Sequence, residues 1–175
     1  MSDILPFLKL KLKDICFDPN VQNYCNNPKY KCPNYNSSWA CPPQAPYLEK
    51  TISKFKTFFL IYLKFNLTEF YKRSSFYSNE VDRDYMEKEI YDFLNDYNEI
   101  YVDKLILWDG YCRICSKEGK KCTYILKKAC RYPNEIRYSM EAVGIDVDKT
   151  VKNVNIILEW PPLNYSYRFG LICLK

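Results

Sequence analysis

The chain has 175 residues, 47% of them hydrophobic, so it is long enough to bury a core and too apolar to be disordered. It has nine cysteines and no histidine, which excludes Cys/His zinc fingers, zinc hydrolases with histidine ligands and nucleophiles activated by histidine. Its net charge of +5 would fall to about +1 if two four-thiolate sites held metal, so nucleic-acid binding is a minor hypothesis.

The start of the chain does not resemble a signal peptide, because Asp3 and the alternating Lys9, Lys11 and Lys13 interrupt its apolar residues. The longest apolar run, residues 58–63, is too short to cross a bilayer. We therefore expect a soluble, cytoplasmic protein.

The elements between the cysteines are typical of an α+β domain. The first forty-five residues are expected to be irregular and wrapped around their cysteines. Residues 54–65 (KFKTFFLIYLKF) predict a strand because they are rich in β-branched and aromatic residues. Ser78 or Asn79 can cap a long amphipathic helix that runs to about Ile100, with Tyr101 continuing its apolar spacing. Residues 104–108 (KLILW) predict a second strand.

Two short helices and two closing strands are expected after the last of these elements. Ser139 can cap a helix that Gly144 ends, and Asp146 can cap another that runs to about Asn153. Residues 155–160 (NIILEW) and 167–174 (YRFGLICL) predict strands. The whole predicts a single α+β domain, 1–175, with a small antiparallel or mixed sheet, two or three helices and Cys-rich metal-binding loops. The predicted domain has four parts: a Cys-rich segment (1–48), a strand-helix-strand unit (49–110), a second Cys-rich segment (111–138), and a helix with closing strands (139–175).

Eight of the cysteines fall into two groups of four. The first has the spacing C-x8-C-x6-C-x8-C and the second C-x2-C-x6-C-x7-C, and all eight are candidate metal and cofactor ligands: Cys16, Cys25, Cys32, Cys41, Cys112, Cys115, Cys122 and Cys130. In residues 32–43 (CPNYNSSWACPP), each cysteine is followed directly by a proline, which lacks an N–H and has a fixed φ. Backbone pairing cannot order such a segment, so a metal bound to its sulfurs is expected to do so.

Three kinds of site compete for these cysteines. A disulfide framework is the least favoured, because cytosolic thiols are usually reduced. Zinc accepts four thiolates but typically uses two C-x2-C knuckles, and only Cys112 and Cys115 have that spacing. An iron–sulfur cluster takes ligands from looser loops, often one C-x2-C element and a remote cysteine near proline, as at Cys130. The spacing favours an iron–sulfur cluster over zinc, and the expected type is [4Fe–4S], with one or two clusters per chain.

Four motifs, CPNYNSSWACPP, GYCRIC, ACRYP and SMEAVGIDV, resemble in order and spacing a cysteine-rich family known as domain of unknown function 2284, described as predicted metal-binding proteins. The resemblance implies metal binding, with an iron–sulfur cluster as the expected group. The motifs that match the family contain five of the cysteines, so the resemblance implies that these bind the metal: Cys32, Cys41, Cys112, Cys115 and Cys130. The family usually has another cysteine where Glu118 stands, so Cys122 is expected to replace it, and usually has proline where Tyr138 stands.

The expected function is that of an iron–sulfur protein acting in electron transfer or as the reductive partner of a metalloenzyme. The alternatives are a structural or regulatory module held by zinc or a cluster, and an enzyme whose cluster binds substrate. A single site shared by both groups also remains open. An acidic redox partner is expected to dock near residues 113–137, against Arg113, Lys117, Lys120, Lys121, Lys127, Lys128, Arg131 and Arg137, although these charges could simply offset thiolates. Cys173 is expected to be a buried spectator. Glu141 is either a helix-dipole partner or a proton donor.

Overall fold

The fold is an open four-stranded antiparallel sheet with helices around it. A computed structural model describes residues 6–72, 75–97 and 103–175. The sheet has the order β1-β2-β4-β3, with the strands β1 (Phe7–Leu10), β2 (Thr57–Asn66), β3 (Lys104–Leu107) and β4 (Tyr165–Leu174). The six helices in the described residues are α1 (Val21–Tyr24), α2 (Glu49–Ile52), α3 (Leu67–Lys72), α4 (Ser75–Tyr97), α5 (Ile114–Lys117) and α6 (Val147–Lys152). None of the helices described is long and apolar enough to span a membrane.

Both faces of the sheet are covered, because the alternating side chains of its central strands are apolar on each side. On one face, Leu60 and Leu171 pack against the segment that carries α6, including Val143 and Val151. On the other face, side chains of β2 and β4 pack against the apolar stripe of α4, where Met86, Ile90 and Leu94 are buried. The sheet is therefore a platform between α4 and the C-terminal third of the chain.

The α+β class and three of the strands expected from sequence are confirmed as β2, β3 and β4. The long helix is present, beginning at Ser75, a few residues earlier than predicted. The expectations for Ile100 and Tyr101 lie outside the described residues. Both short C-terminal elements also form. Ser139 Oγ accepts the N–H of Ala142, and a 3-10 turn (Glu141–Val143) follows, which ends at Gly144.

Two expectations about strands were wrong. The first forty-five residues contain β1, because Leu8 and Leu10 face one side of the sheet while Phe7, on the other side, stacks on Phe93 at 4.2 Å. The alternation of lysines with apolar residues in this segment is typical of an edge strand, and β1 lies at the edge of the sheet. Residues 155–160 form no strand, because Asn155 adopts a positive φ of 62°. The Glu159 side chain, and not a partner strand, accepts backbone N–H groups of the loop that follows.

Candidate metal centre

Four cysteines of the second group line one small cavity. Cys112, Cys115, Cys122 and Cys130 come from the turns and the one-turn helix α5 of the second cysteine segment (residues 111–138), and they surround a space of about 30 Å³. The loop is folded locally by hydrogen bonds such as Lys120 N–H to the Cys115 carbonyl at 2.8 Å. The structure therefore brings this predicted group together.

The groups around this cavity have opposing effects on the ionisation of its thiols. Burial raises the pKa of Cys130, and a hydrogen bond from the Tyr132 backbone opposes that rise, while the neighbouring thiolates of the group add to it. Arg131 Nη1 lies 3.2 Å from Cys115 Sγ and can donate to it. Burial, followed by the charges of Cys130 and Cys112, raises the pKa of Tyr138. The site thus holds a donor that favours a thiolate beside thiols that disfavour one another's ionisation.

The second cysteine segment is fastened to helix α4 by ion pairs. Arg113, only 7% exposed, contacts Asp84 at 3.0 Å and Glu87 at 3.2 Å. Glu87 also pairs with Lys117 at 2.7 Å and with Arg137 at 2.7 Å. Because Arg113 follows Cys112 directly, this network positions the start of the cysteine loop on α4.

Three cysteines of the first group lie near one another. The Cys32 N–H donates to the Cys25 carbonyl at 3.0 Å. Burial, with a smaller contribution from Cys32 and Cys41, raises the pKa of Cys25 to about 11. Cys41 is buried, and burial raises its pKa too, against a hydrogen bond with Ser38. These thiols would release protons on binding a metal.

Cys16, the fourth member of the first group, is fixed against α6. Its N–H donates to Thr150 Oγ1 at 3.0 Å, and its carbonyl accepts the Asp146 N–H at 2.8 Å. Its Sγ lies 3.3 Å from Asn153 Nδ2. The structure thus gives Cys16 contacts different in kind from those of Cys25, Cys32 and Cys41.

The two cysteine groups meet at one end of the molecule. Trp39, from the first cysteine segment (residues 16–48), lines the cavity of the second group and donates its indole N–H to the Lys128 carbonyl at 3.1 Å. Its ring meets that of Tyr124 edge-on at 5.1 Å, and the Tyr124 hydroxyl donates to Asn36 Oδ1. The charges of Cys112 and Cys122 also act on Cys41. Cys41 therefore lies between the two groups.

The SMEAVGIDV segment anchors the first group to the fold. Gln22 Nε2 donates to the carbonyls of Ala45 at 2.9 Å and Ala142 at 2.8 Å, and the Asp18 N–H donates to the Gly144 carbonyl at 2.8 Å. Gly144 has φ +88° and lies against the Tyr47 ring, so a side chain would fit neither its backbone nor its surroundings. The motif therefore fixes the first cysteine group to the rest of the fold.

The donor set fits a thiolate-bound metal, although the side chains are not gathered around a single ion. All nine cysteines are free thiols. In residues 6–72, 75–97 and 103–175, no three Cys, Asp or Glu side chains form a group close enough to hold a metal ion. A set of cysteine thiolates is a donor set that both zinc and an iron–sulfur cluster accept.

The remaining cysteine and the basic residues are placed differently from the candidate ligands. Cys173 is fully buried in the core beneath the sheet, where burial raises its pKa to about 12. Of the eight basic residues, several are engaged in ion pairs within the chain: Arg113, Lys117, Lys120 and Arg137. Part of the positive charge expected to attract a partner is therefore compensated internally.

Trp39 stands between Cys32 and Cys41 of the first group in the sequence, but it lies on the cavity of the second group. Sequence reasoning missed Tyr124, which joins the two segments, and Glu87, which holds the second in place. Neither carries a sequence signal, because an acidic residue on a helix and a tyrosine in a tyrosine-rich chain are ordinary. Only the tertiary contacts identify them.

Comparison with known proteins identifies a family and nothing further. A sequence profile described as "Predicted metal-binding protein (DUF2284)" matches residues 8–174. No curated protein and no solved structure matches the chain.

Proposed function

Because the chain belongs to the DUF2284 family of predicted metal-binding proteins, we propose that it is an iron–sulfur protein in which Cys112, Cys115, Cys122 and Cys130 ligate a [4Fe–4S] cluster. The observation that carries the proposal is the common cavity onto which these four cysteines open. When bound, such a cluster supplies one-electron redox chemistry. The proposed role is electron transfer, or reduction of a partner metalloenzyme.

The ligand spacing and the surroundings of the cavity support a cluster. The spacing has one C-x2-C element and two remote cysteines, whereas zinc typically uses two C-x2-C knuckles. Trp39 and Tyr132 line the cavity and would limit the access of water. Arg131 can donate to Cys115 Sγ, and hydrogen bonds to the sulfurs raise a cluster's reduction potential.

A second metal site is proposed at the first cysteine group. Cys25, Cys32 and Cys41 supply three thiols, and Cys16 is the proposed fourth ligand. Because Cys41 also lies near Cys112, the alternative is one site that takes ligands from both groups. The count of metal per chain separates these arrangements.

A structural module is the second candidate function. The two cysteine segments consist largely of turns and of helices of a single turn, and they contact each other through Trp39 and Tyr124. A bound zinc or cluster could serve only to order this end of the molecule as an interaction surface. The proposed partner is an acidic protein that docks on the second cysteine segment, where Lys121, Lys127 and Lys128 add positive charge.

The first experiment is to determine iron, acid-labile sulfide and zinc per chain in anaerobically purified protein, with visible spectra before and after dithionite. We expect about eight iron and eight sulfide, with a broad absorption that dithionite bleaches. About four of each would mean one cluster. A colourless protein with one or two zinc ions would contradict electron transfer and leave the structural module.

Two cysteine variants locate the site within the same assay. Cys122→Ser removes a proposed ligand that is half-buried in the second group, so we expect it to lose about half of the iron. Cys173→Ser changes a cysteine in the core, so we expect full iron content. Equal iron content in the two variants would contradict the assignment.

A further inference from the structure

A second cavity, of about 470 Å³, lies beside the C-terminal half of the sheet and away from the small cavity of the second cysteine group. It is formed by α1, the Glu141–Val143 turn, the start of α6, the loop of residues 153–164 and the first half of β4. Its volume lies within the range of small-molecule sites, which is roughly 300–1,000 Å³. Its apolar and aromatic lining includes Val21, Leu158, Trp160, Pro162, Tyr165 and Phe169.

The charged residues that line this cavity all have one sign. They are the carboxylates Glu141, Asp146, Asp148 and Glu159, and no lysine or arginine of the described chain lines it. Lys149 and Lys152 pair with Asp146 and Asp148 from outside the lining. The chain as a whole is basic, so this acidic lining runs against its composition. A cationic ligand fits such a lining and an anionic one does not.

Hydrogen bonds within the chain fix the wall of the cavity. Glu159 Oε2 accepts the backbone N–H groups of Leu163, Asn164 and Tyr165 at 3.0, 2.8 and 3.4 Å, which fixes the loop. These hydrogen bonds hold the pKa of Glu159 below its ordinary value, so it is ionised at neutral pH. Asp146 caps α6 by accepting the Lys149 N–H. A preformed wall lowers the entropic cost of binding.

Glu141 is the carboxylate best placed to contact a ligand. Its side chain is accessible from the cavity, and no ion pair joins it to a lysine or arginine of the described chain. Protein around it withdraws the carboxyl from bulk water and raises its pKa, an effect that the nearby Asp109 increases and a hydrogen bond with Ser139 opposes. A carboxylate in this position is stabilised by a cation that enters the cavity.

We propose that this cavity binds a small aromatic or aliphatic molecule that carries a protonated amine, with the amine at Glu141 and the apolar part against Trp160 and Phe169. The inference goes beyond electron transfer and does not require it. Tyr24, which precedes Cys25 in the chain, lines the cavity, so the ligand would lie near the first cysteine group.

The test is a titration followed by NMR with three probes of matched size, namely phenethylamine, 2-phenylethanol and phenylacetate. The chain has three tryptophans, and the indole N–H signal of Trp160 is assigned by its absence in Trp160→Phe. We expect phenethylamine to shift this signal with a millimolar dissociation constant. We expect 2-phenylethanol to bind about tenfold more weakly, and phenylacetate more weakly still. Equal affinities, or no shift with any probe, would overturn the proposal.

Two substitutions assign the binding to the cavity. Glu141→Gln keeps the size and removes the charge, so we expect it to weaken phenethylamine about tenfold and to leave 2-phenylethanol unchanged. Ile157→Ala is the control, because Ile157 belongs to the same loop, is 75% exposed and does not line the cavity. It should change neither affinity. An effect of Ile157→Ala as large as that of Glu141→Gln would contradict the site. Binding is read without regard to metal content, so failure here and failure of the iron–sulfur proposal are separate results.

Discussion

Glu87 joins the second cysteine segment to α4, so Glu87→Gln should weaken the fold at the proposed cluster. The Glu87 side chain is 12% exposed and accepts from three cations, Arg113, Lys117 and Arg137. The substitution keeps the shape of the side chain and removes its charge. It leaves Arg113 and Arg137, 7% and 15% exposed, without their shared partner.

The expected loss follows from how far each partner is withdrawn from water. Breaking a buried ion pair costs about 3–5 kcal/mol, whereas a surface pair contributes about 0–1 kcal/mol. Lys117 is 42% exposed and can regain water, and Asp84 remains as a partner of Arg113. The amide oxygen of glutamine can still accept one hydrogen bond. We therefore expect a loss of about 3 kcal/mol in the free energy of unfolding.

The assay is thermal unfolding by calorimetry on proteins of equal metal content. A loss of about 3 kcal/mol corresponds to a fall in Tm of about 6–12 °C for a chain of this size. Asp92→Asn is the matched control on the same helix, because Asp92 is 55% exposed and pairs only with Lys88 in the described chain. Its cost should be about 0.3–0.5 kcal/mol.

The effect should also depend on pH. Burial alone would raise the pKa of Glu87, but the hydrogen bonds from Lys117 and Arg137 outweigh it, so the folded pKa is lower than the unfolded one. The contribution of Glu87 is therefore complete above the unfolded pKa of about 4.3 and is lost as the pH falls through the folded pKa. The Tm difference from wild type should shrink on acidification. A difference at pH 7 no larger than that of Asp92→Asn would refute this reasoning.

Four other substitutions have definite expected outcomes. Cys173→Ser places a hydroxyl in the core and should cost about 1–3 kcal/mol, read as a lower Tm without loss of iron. Gly144→Ala should lower the free energy of unfolding by about 3 kcal/mol, because the φ of Gly144 is +88° and the new Cβ would lie 2.3 Å from the Tyr47 ring. Gly119→Ala is the comparison: its φ is +68° and no atom lies within 4 Å of the new Cβ, so the loss should be only about 1 kcal/mol. Trp39→Phe loses the indole hydrogen bond to the second cysteine segment, so a chelator should remove iron about fivefold faster while circular dichroism stays unchanged. Unchanged iron release would show that the contact between the segments does not protect the metal.

The parts of the fold that sequence predicted are those whose signal is local. The strand β2 and the capped helix α6 follow from runs of β-branched residues and from Asp146 at the helix start. The strand β1 was missed because an edge strand of four residues is defined by pairing with a distant partner, here with β2. The apolar run at residues 155–160 has strand composition, but it lines a cavity and finds no partner strand.

The sequence predicts which cysteines are candidate ligands but not how they are arranged. Spacing and the four motifs single out eight cysteines, since a ligand type and its interval are local properties of the chain, and their role as ligands stays a prediction. Which cysteines adjoin one another depends on how two distant segments meet. Sequence assigned Cys41 to the first group, and the structure places it within electrostatic reach of Cys112 as well. The acidic cavity was not predicted, because its four carboxylates are spread over residues 141–159 among ordinary caps and loop positions.

The sheet with α4 and α6 and the two cysteine segments are stabilised in different ways. The sheet, α4 and α6 are held by burial and by ion pairs, while the cysteine segments have few regular elements and depend on contacts such as those of Trp39 and Gln22. Burial, together with the charges of neighbouring cysteines, raises the pKa of Cys25, Cys41 and Cys130, so forming thiolates there is unfavourable without a cation. A metal supplies that positive charge and order to the loops at once. The acidic cavity lies near Cys25, so a ligand bound at Glu141 and a metal bound at the first group would act on one another through charge.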